Sequence, residues 1–125
     1  MRVLLDTSVL LWLLTDSPKL SAEHRAVIAD PSCVLYVSSV SVAEIAIKVS
    51  VGKLPPPSGS VPEVIVESGL MPLPLTSSHA DALSLLPMIH RDPFDRMLLA
   101  QAMVEDLVFL TTNEQNRRYT CVRTL

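Results

Sequence analysis

The apolar positions of this chain follow two rhythms: short unbroken aliphatic runs, and longer stretches spaced at three and four residues. The first marks buried strands and the second core-facing helices. Val3-Leu4-Leu5 is unbroken, as expected for a strand covered on both faces of a parallel sheet. Ser8 to Thr15 predicts a helix stopped by Asp16-Ser17-Pro18, and Ser21 is a good N-cap for a second helix reaching Ala29. Asp30-Pro31-Ser32 breaks that helix, and the β-branched and aromatic run Val34 to Val37 predicts the second strand. A helix from near Ser41 carries Ala43, Ile45, Ala46, Ile47 and Val49 and stops at Gly52.

The stretch from Leu54 to Ser60, rich in proline, resembles a linker but is too short to divide domains, and it reads as a rigid surface loop. Pro62 suits the first turn of a helix that ends at Gly69, a C′ glycine. Leu73 to Leu75 predicts a short strand, and Thr76 to Leu86 a helix with Ala80, Leu83 and Leu86 along one side. Pro93 opens the most periodic helix, which turns Phe94, Met97, Leu98, Ala102 and Leu107 to the core. Val108 to Leu110 predicts a strand and Val122 to Leu125 an edge strand. Such alternation predicts an α/β fold, a three-layer α/β/α sandwich on a mainly parallel central sheet, formed as a single domain over residues 1–125.

Hydrophobic residues make up 49% of the chain and aromatics only 4%, so the core must be aliphatic. Charged residues, at 18%, fall below the usual quarter, which points to extensive burial or to a surface covered by a partner. The longest apolar runs, such as Val9 to Leu14, fall short of the ~20 residues a membrane span needs. Asp6 interrupts the first apolar run, so no signal-type segment is formed. A soluble cytoplasmic protein is expected. The net charge of −3 is not the footprint of a protein that coats nucleic acid nonspecifically, yet it leaves room for local chemistry on phosphate. Cys33 and Cys121 lie far apart without neighbouring ligands and read as thiols buried in strands. The three glycines form no phosphate-cradling loop, which excludes a nucleotide-binding enzyme of that kind.

Four stretches end a hydrophobic run with an acid or amide: Leu5-Asp6, Ala43-Glu44, Asp92-Pro93-Phe94-Asp95 and Leu110-Thr111-Thr112-Asn113. An α/β fold gathers such groups at the carboxyl edge of its sheet. Acids gathered there repel one another unless a cation lies among them, so the set points to a metal site acting on phosphodiesters. Each residue also has a plain alternative. Asp6 could cap the Ser8 helix, Glu44 could face solvent, and Asp92 before Pro93 is a common helix start. Asp95 could merely favour the helix dipole but also turns toward the strand edge, which makes it the better ligand candidate of that pair. Asn113 could cap Glu114 to Arg118 or act as a neutral ligand, and Thr111 and Thr112 could bind a phosphate oxygen or shape a turn. Arg91, Arg96, Arg117 and Arg118 flank the acids and could contact a polyanion. His24, His79 and His90 lack zinc-motif spacing and read as surface or cap residues.

Taken in order, these segments resemble the PIN-domain ribonucleases, and in particular the VapC-type toxins of toxin–antitoxin pairs. The likeness rests on Val3-Leu4-Leu5-Asp6-Thr7-Ser8, on Ser38 to Glu44, on His90 to Ala102 with its specific Asp-Pro-Phe-Asp-Arg core, on Leu110 to Asn113, and on Tyr119 to Leu125. The resemblance implies a Mg²⁺- or Mn²⁺-dependent endoribonuclease in which Asp6, Glu44 and Asp95 match the three metal-site acids. Asp92 would be an accessory acid or a cap, and Thr111 and Arg96 candidate substrate contacts. It also implies a VapB-like antitoxin partner, an RNA substrate and a homodimer. Where the family commonly has a fourth acid this chain has Asn113, which bears on a second metal ion, with Glu114 next door as partial compensation. Two readings compete. One is a catalytically degenerate PIN-like binding protein, supported by Asn113. The other is a receiver-like phosphoacceptor domain, which would want a lysine after a late strand; no lysine follows Lys53.

Overall fold

A computed structural model describes residues 1–125. The elements, in chain order, are β1 (Arg2–Leu5), α1 (Thr7–Leu14), α2 (Ala22–Ala29), β2 (Val34–Ser38), α3 (Ser39–Ser50), α4 (Val61–Glu67), β3 (Met71–Leu73), α5 (Ser77–Asp81), a 3₁₀ turn (Ala82–Leu85), α6 (Pro93–Glu105), β4 (Val108–Leu110) and α7 (Glu114–Arg117). The four strands form one all-parallel sheet in the order β3-β2-β1-β4. The chain thus adds strands to one side of β1 and then crosses to the other, so strand order reverses beside β1, where α/β sheets open a crevice.

The unbroken run in β1 is explained by its two neighbours. Val3 and Leu5 point into one core with Val9, Leu10, Val37, Ile45, Ile65, Val108 and Leu110, whereas Leu4 joins Leu98, Leu99, Phe109 and Tyr119 on the opposite face. Helical layers cover both faces, which gives the three-layer α/β/α arrangement expected from the sequence. No helix is long and apolar enough to cross a membrane.

Helix starts follow local chemistry. Ser21, Ser60 and Thr76 each accept a backbone N–H three residues on, satisfying a donor that the first helical turn leaves unpaired. Ser38 does the same for Val40, so α3 begins two residues before the expected Ser41. Gly52 and Gly69 follow α3 and α4 at φ +78°, a conformation free of strain only for glycine.

Several expectations are corrected. The third strand is Met71–Leu73 rather than Leu73 to Leu75: pairing with Tyr36 to Ser38 sets its register, while the Leu75 N–H donates to the Ser39 hydroxyl beyond the sheet. The helix from Thr76 tightens into the 3₁₀ turn after Asp81, which shifts the buried face to His79, Ala82 and Leu86 and leaves Ala80 exposed. The terminal edge is a single parallel bridge between Phe109 and Thr124, though Phe109 and Thr111 donate to the Arg123 and Leu125 carbonyls and so cover the free side of β4. Cys33 is half-buried just before β2 and Cys121 is exposed, so neither thiol lies in a strand. His24 is buried, and His79 is a buried cap whose ring closes a capping box with Thr76.

Candidate functional site

The carboxyl ends of β1, β2 and β4 lie side by side, and the segments leaving them converge on one cavity of about 330 Å³. Its lining is wholly polar: Asp6, Thr7, Ser8, Glu44, Lys48, Asp92, Asp95, Thr112 and Asn113. The structure therefore brings Asp6, Glu44, Asp92, Asp95 and Asn113 together at the edge where the sequence placed them.

Asp6 is the most enclosed of the acids, 5% exposed at the end of β1. Its Oδ1 accepts the Thr7 N–H at 2.7 Å, the N-cap of α1, and its Oδ2 accepts the Thr111 hydroxyl at 2.7 Å. Those bonds favour the ionised form, yet burial and the nearby Asp95 charge outweigh them and push the carboxyl from 3.8 to about 7. Thr7 in turn bonds Ser41 through their hydroxyls at 2.9 Å, which ties the start of α1 to α3.

Glu44 is buried on α3. Lys48, one turn later, donates to its Oε2 at 2.8 Å, while Oε1 is buried with no hydrogen-bond partner at all. The pair holds the Lys48 ammonium above its ordinary pKa, through the hydrogen bond to Glu44. A buried carboxylate oxygen without a donor is costly unless a cation completes it.

Asp92 caps α6, its Oδ1 accepting the Phe94 and Asp95 N–H groups at 2.8 and 3.2 Å, so the capping alternative and the site reading hold together. Asp95 extends from the first turn of the same helix. Its Oδ2 accepts from His90 Nε2 at 2.8 Å, and burial, then the Asp92 charge, raises its pKa. Ligand atoms of His90, Asp92 and Asp95 all lie within 4.8 Å of one another. Lys48 and His90 are the members of this neighbourhood that sequence reasoning did not assign. A glutamate four residues before a lysine on one helix was the available signal for Lys48.

Asn113 lines the cavity but spends its side chain on structure. Its Oδ1 accepts the Gln115 N–H at 2.9 Å as the N-cap of α7, and its amide nitrogen lies 3.3 Å from His90 Nε2. Reversing the amide would set two donors against each other at Gln115, which fixes the orientation. The Asn113 oxygen thus serves the α7 cap and, being neutral, offers a cation less charge than a carboxylate would. Glu114, exposed on α7, does not line the cavity.

The two residues expected to touch substrate lie elsewhere. Thr111 is fully buried behind Asp6, where it also accepts from Asn113 N and Asn116 Nδ2; its neighbour Thr112 lines the cavity instead. The Arg96 guanidinium donates to the carbonyls of Leu83, Pro87 and His90 and to the Tyr119 hydroxyl, and so fastens the loop that carries His90. Both residues support the site from behind because their donors are taken by neighbours.

The donor set fits a hard divalent cation: Asp6, Glu44, Asp92 and Asp95 offer carboxylate oxygens, with Glu44 Oε1 orphaned. Fold and site together define a small α/β protein with an acidic cavity at the point where its strand order reverses. Residues 3–120 match the PIN domain model, and the chain belongs to the PIN domain family. This bears out the family resemblance and sets aside the receiver-like reading. No curated protein matches the sequence at a significant level. Among solved structures, the fold is similar to that of VapBC2 from Rickettsia felis bound to a DNA fragment from their promoter, with a TM-score of 0.73, 16% identity, and coverage of 100% of this chain and 98% of that chain. It is also similar to VapBC-1 from nontypeable Haemophilus influenzae (TM-score 0.67, 20% identity, 100% and 97% covered) and to a toxin–antitoxin complex from Klebsiella pneumoniae (TM-score 0.65, 17% identity, 93% and 90% covered).

Proposed function

We propose that this PIN domain is a metal-dependent endoribonuclease that cleaves RNA phosphodiester bonds with Mg²⁺ or Mn²⁺, and that it is the toxin of a VapBC-type pair. The observation that carries the reading is the carboxylate-lined cavity in which Glu44 Oε1 is buried with no protein donor. Asp6, Glu44 and Asp95 would hold the ion, with Asp92 as accessory acid. When bound, the ion would lower the pKa of a water and offset negative charge developing on the phosphodiester. The chain's own residues do the positioning. Thr7 and Thr111 fix both oxygens of Asp6, His90 holds one oxygen of Asp95, and Lys48 holds one oxygen of Glu44.

A VapB-like antitoxin is the partner this reading calls for. Its support is the toxin–antitoxin context of the similar folds together with an apolar groove of about 330 Å³ along α3, lined by Val42, Ile45, Ala46, Val49 and Val61. Leu85 and Met88, 73% and 71% exposed, offer apolar surface for a homodimer. A degenerate, non-catalytic PIN protein is the second reading, favoured only by the commitment of the Asn113 oxygen to Gln115.

The deciding experiment incubates the purified chain and its Asp95→Asn variant with cellular RNA in Mg²⁺, in Mn²⁺ and in EDTA. Metal-dependent cuts that the variant does not make support the nuclease. Wild type without cuts in either metal favours the degenerate reading. Expression alone and with any small open reading frame that adjoins its gene tests the toxin role: growth arrest relieved by such a partner is expected.

A further inference from the structure

Lys48 is the one cationic side chain among the residues that line the acidic cavity, where it faces four carboxylates. The other basic groups nearby do not line this cavity: Arg91 borders a separate one beside Met88 and Met97, and Arg118 is exposed. Arg96 serves backbone carbonyls, Arg117 donates to the Thr111 carbonyl at 2.9 Å, and His90 is held by Asp95. Lys48 is half-exposed, and of its three ammonium protons one is taken, by Glu44 Oε2 at 2.8 Å. Two protons therefore remain for an incoming acceptor.

Charge makes that acceptor an anion. A polyanionic strand must reach a cavity with four acids, and a single divalent ion cancels only part of their charge. Sites that hold two ions use the second to balance the reacting phosphate. Here Asn113 offers a neutral oxygen that already accepts from Gln115, which balances less charge for such an ion than a carboxylate would.

We propose that Lys48 is the phosphate anchor of this cavity: its ammonium stays on Glu44 and gives its remaining protons to a non-bridging oxygen of the RNA backbone, supplying the positive charge that a second metal ion would bring. The assignment rests on the ribonuclease reading. A purely structural alternative exists, because glutamate followed by lysine four residues later supports any exposed helix.

The test measures two affinities on the full chain with Lys48→Gln and Lys48→Arg. Mn²⁺ binding is followed by calorimetry without RNA, and binding of a fluorescein-labelled mixed-sequence single-stranded RNA by anisotropy in Ca²⁺ across a KCl series. For Lys48→Gln, RNA affinity falls about tenfold and the slope of log K against log salt drops by about 0.7, one phosphate contact on a single strand. Mn²⁺ affinity is unchanged or slightly tighter, since the ammonium that is removed repels the incoming cation. Lys48→Arg keeps the slope. If Lys48→Gln instead weakens Mn²⁺ binding and leaves RNA affinity and slope intact, the residue only orients Glu44 and the proposal falls. A wild type that cuts RNA while Lys48→Gln retains full affinity and slope overturns the Lys48 assignment alone. A wild type that neither binds nor cuts RNA overturns the nuclease reading beneath it.

Discussion

Replacing Asp6 with asparagine should stabilise the metal-free protein while removing its function. In the fold the Asp6 carboxyl titrates at about 7 instead of 3.8, first because it is buried and then because Asp95 is close. That displacement corresponds to about 4 kcal/mol of stability lost once the group ionises. The sign follows from proton binding: between pH 3.8 and about 7 the native state retains a proton that the unfolded chain has released. Stability in EDTA therefore declines as pH rises through that window, and the full penalty is present above it. Asparagine carries no charge to bury. It keeps the Thr7 N-cap through its oxygen but cannot accept from the Thr111 hydroxyl, a loss of about 1–2 kcal/mol. The net expectation at pH 8 in EDTA is a gain of about 2–3 kcal/mol, or a melting temperature higher by about 10 °C. Below about pH 4 the order reverses, because protonated Asp6 no longer carries the penalty and only the weakened Thr111 contact remains. Thermal unfolding by circular dichroism at pH 4 and pH 8 reads both points. A variant less stable than wild type at pH 8, or a difference that does not change between the two pH values, refutes the reasoning.

Added Mn²⁺ or Mg²⁺ should raise the melting temperature of EDTA-treated wild type in a dose-dependent way, by about 2.7 kcal/mol at a hundred times Kd, and should leave Asp6→Asn nearly unmoved; equal response of the two proteins would place the ion elsewhere. Thr111→Val should cost about 2–4 kcal/mol in urea unfolding, because it strands the Asn113 N–H and the Asn116 amide as well as Asp6. A loss under about 0.5 kcal/mol, within the range of neutral surface changes, would show that the buried hydroxyl is dispensable. Arg96→Ala should lower stability by about 2–3 kcal/mol and leave the salt slope of RNA binding unchanged. The opposite outcome, intact stability with a reduced slope, would restore Arg96 as a substrate contact.

The sequence reveals β1, β2 and β4 because strands covered on both faces must be continuously aliphatic. It misplaces β3, an edge strand broken up by Pro72 and Pro74, whose position depends on Tyr36 to Ser38 across the gap. Asp6 was legible for a related reason, since a carboxylate directly after a buried strand emerges at the sheet's edge, whereas Glu44, Asp92 and Asp95 reach that edge from α3 and the start of α6. Roles set by distant partners were not legible. Arg96 looked like a polyanion contact because its acceptors, the Leu83 and Pro87 carbonyls, lie in a loop whose path no local pattern predicts. Thr111 looked accessible at the end of β4 until Asp6 was found between it and the cavity. Lys48 carried no reading at all, since only the convergence of β1, α3 and α6 turns that helix face into a cavity wall.

The hydrogen bonds at the acids divide the work of holding from the work of binding. Asp92 gives one oxygen to backbone donors, Asp95 one to His90, and Glu44 one to Lys48, so each carboxylate is oriented by one oxygen and keeps the other. Asp6 differs, with a donor on each oxygen, and it is also the acid whose ionisation costs most. A carboxylate fixed at both ends cannot turn away from its neighbours to relieve repulsion, so the strain stays in place until positive charge arrives. A cation bound at this site would therefore be coupled most strongly to Asp6, while Lys48, bound to the acid with an orphaned oxygen, offsets part of the charge around Glu44.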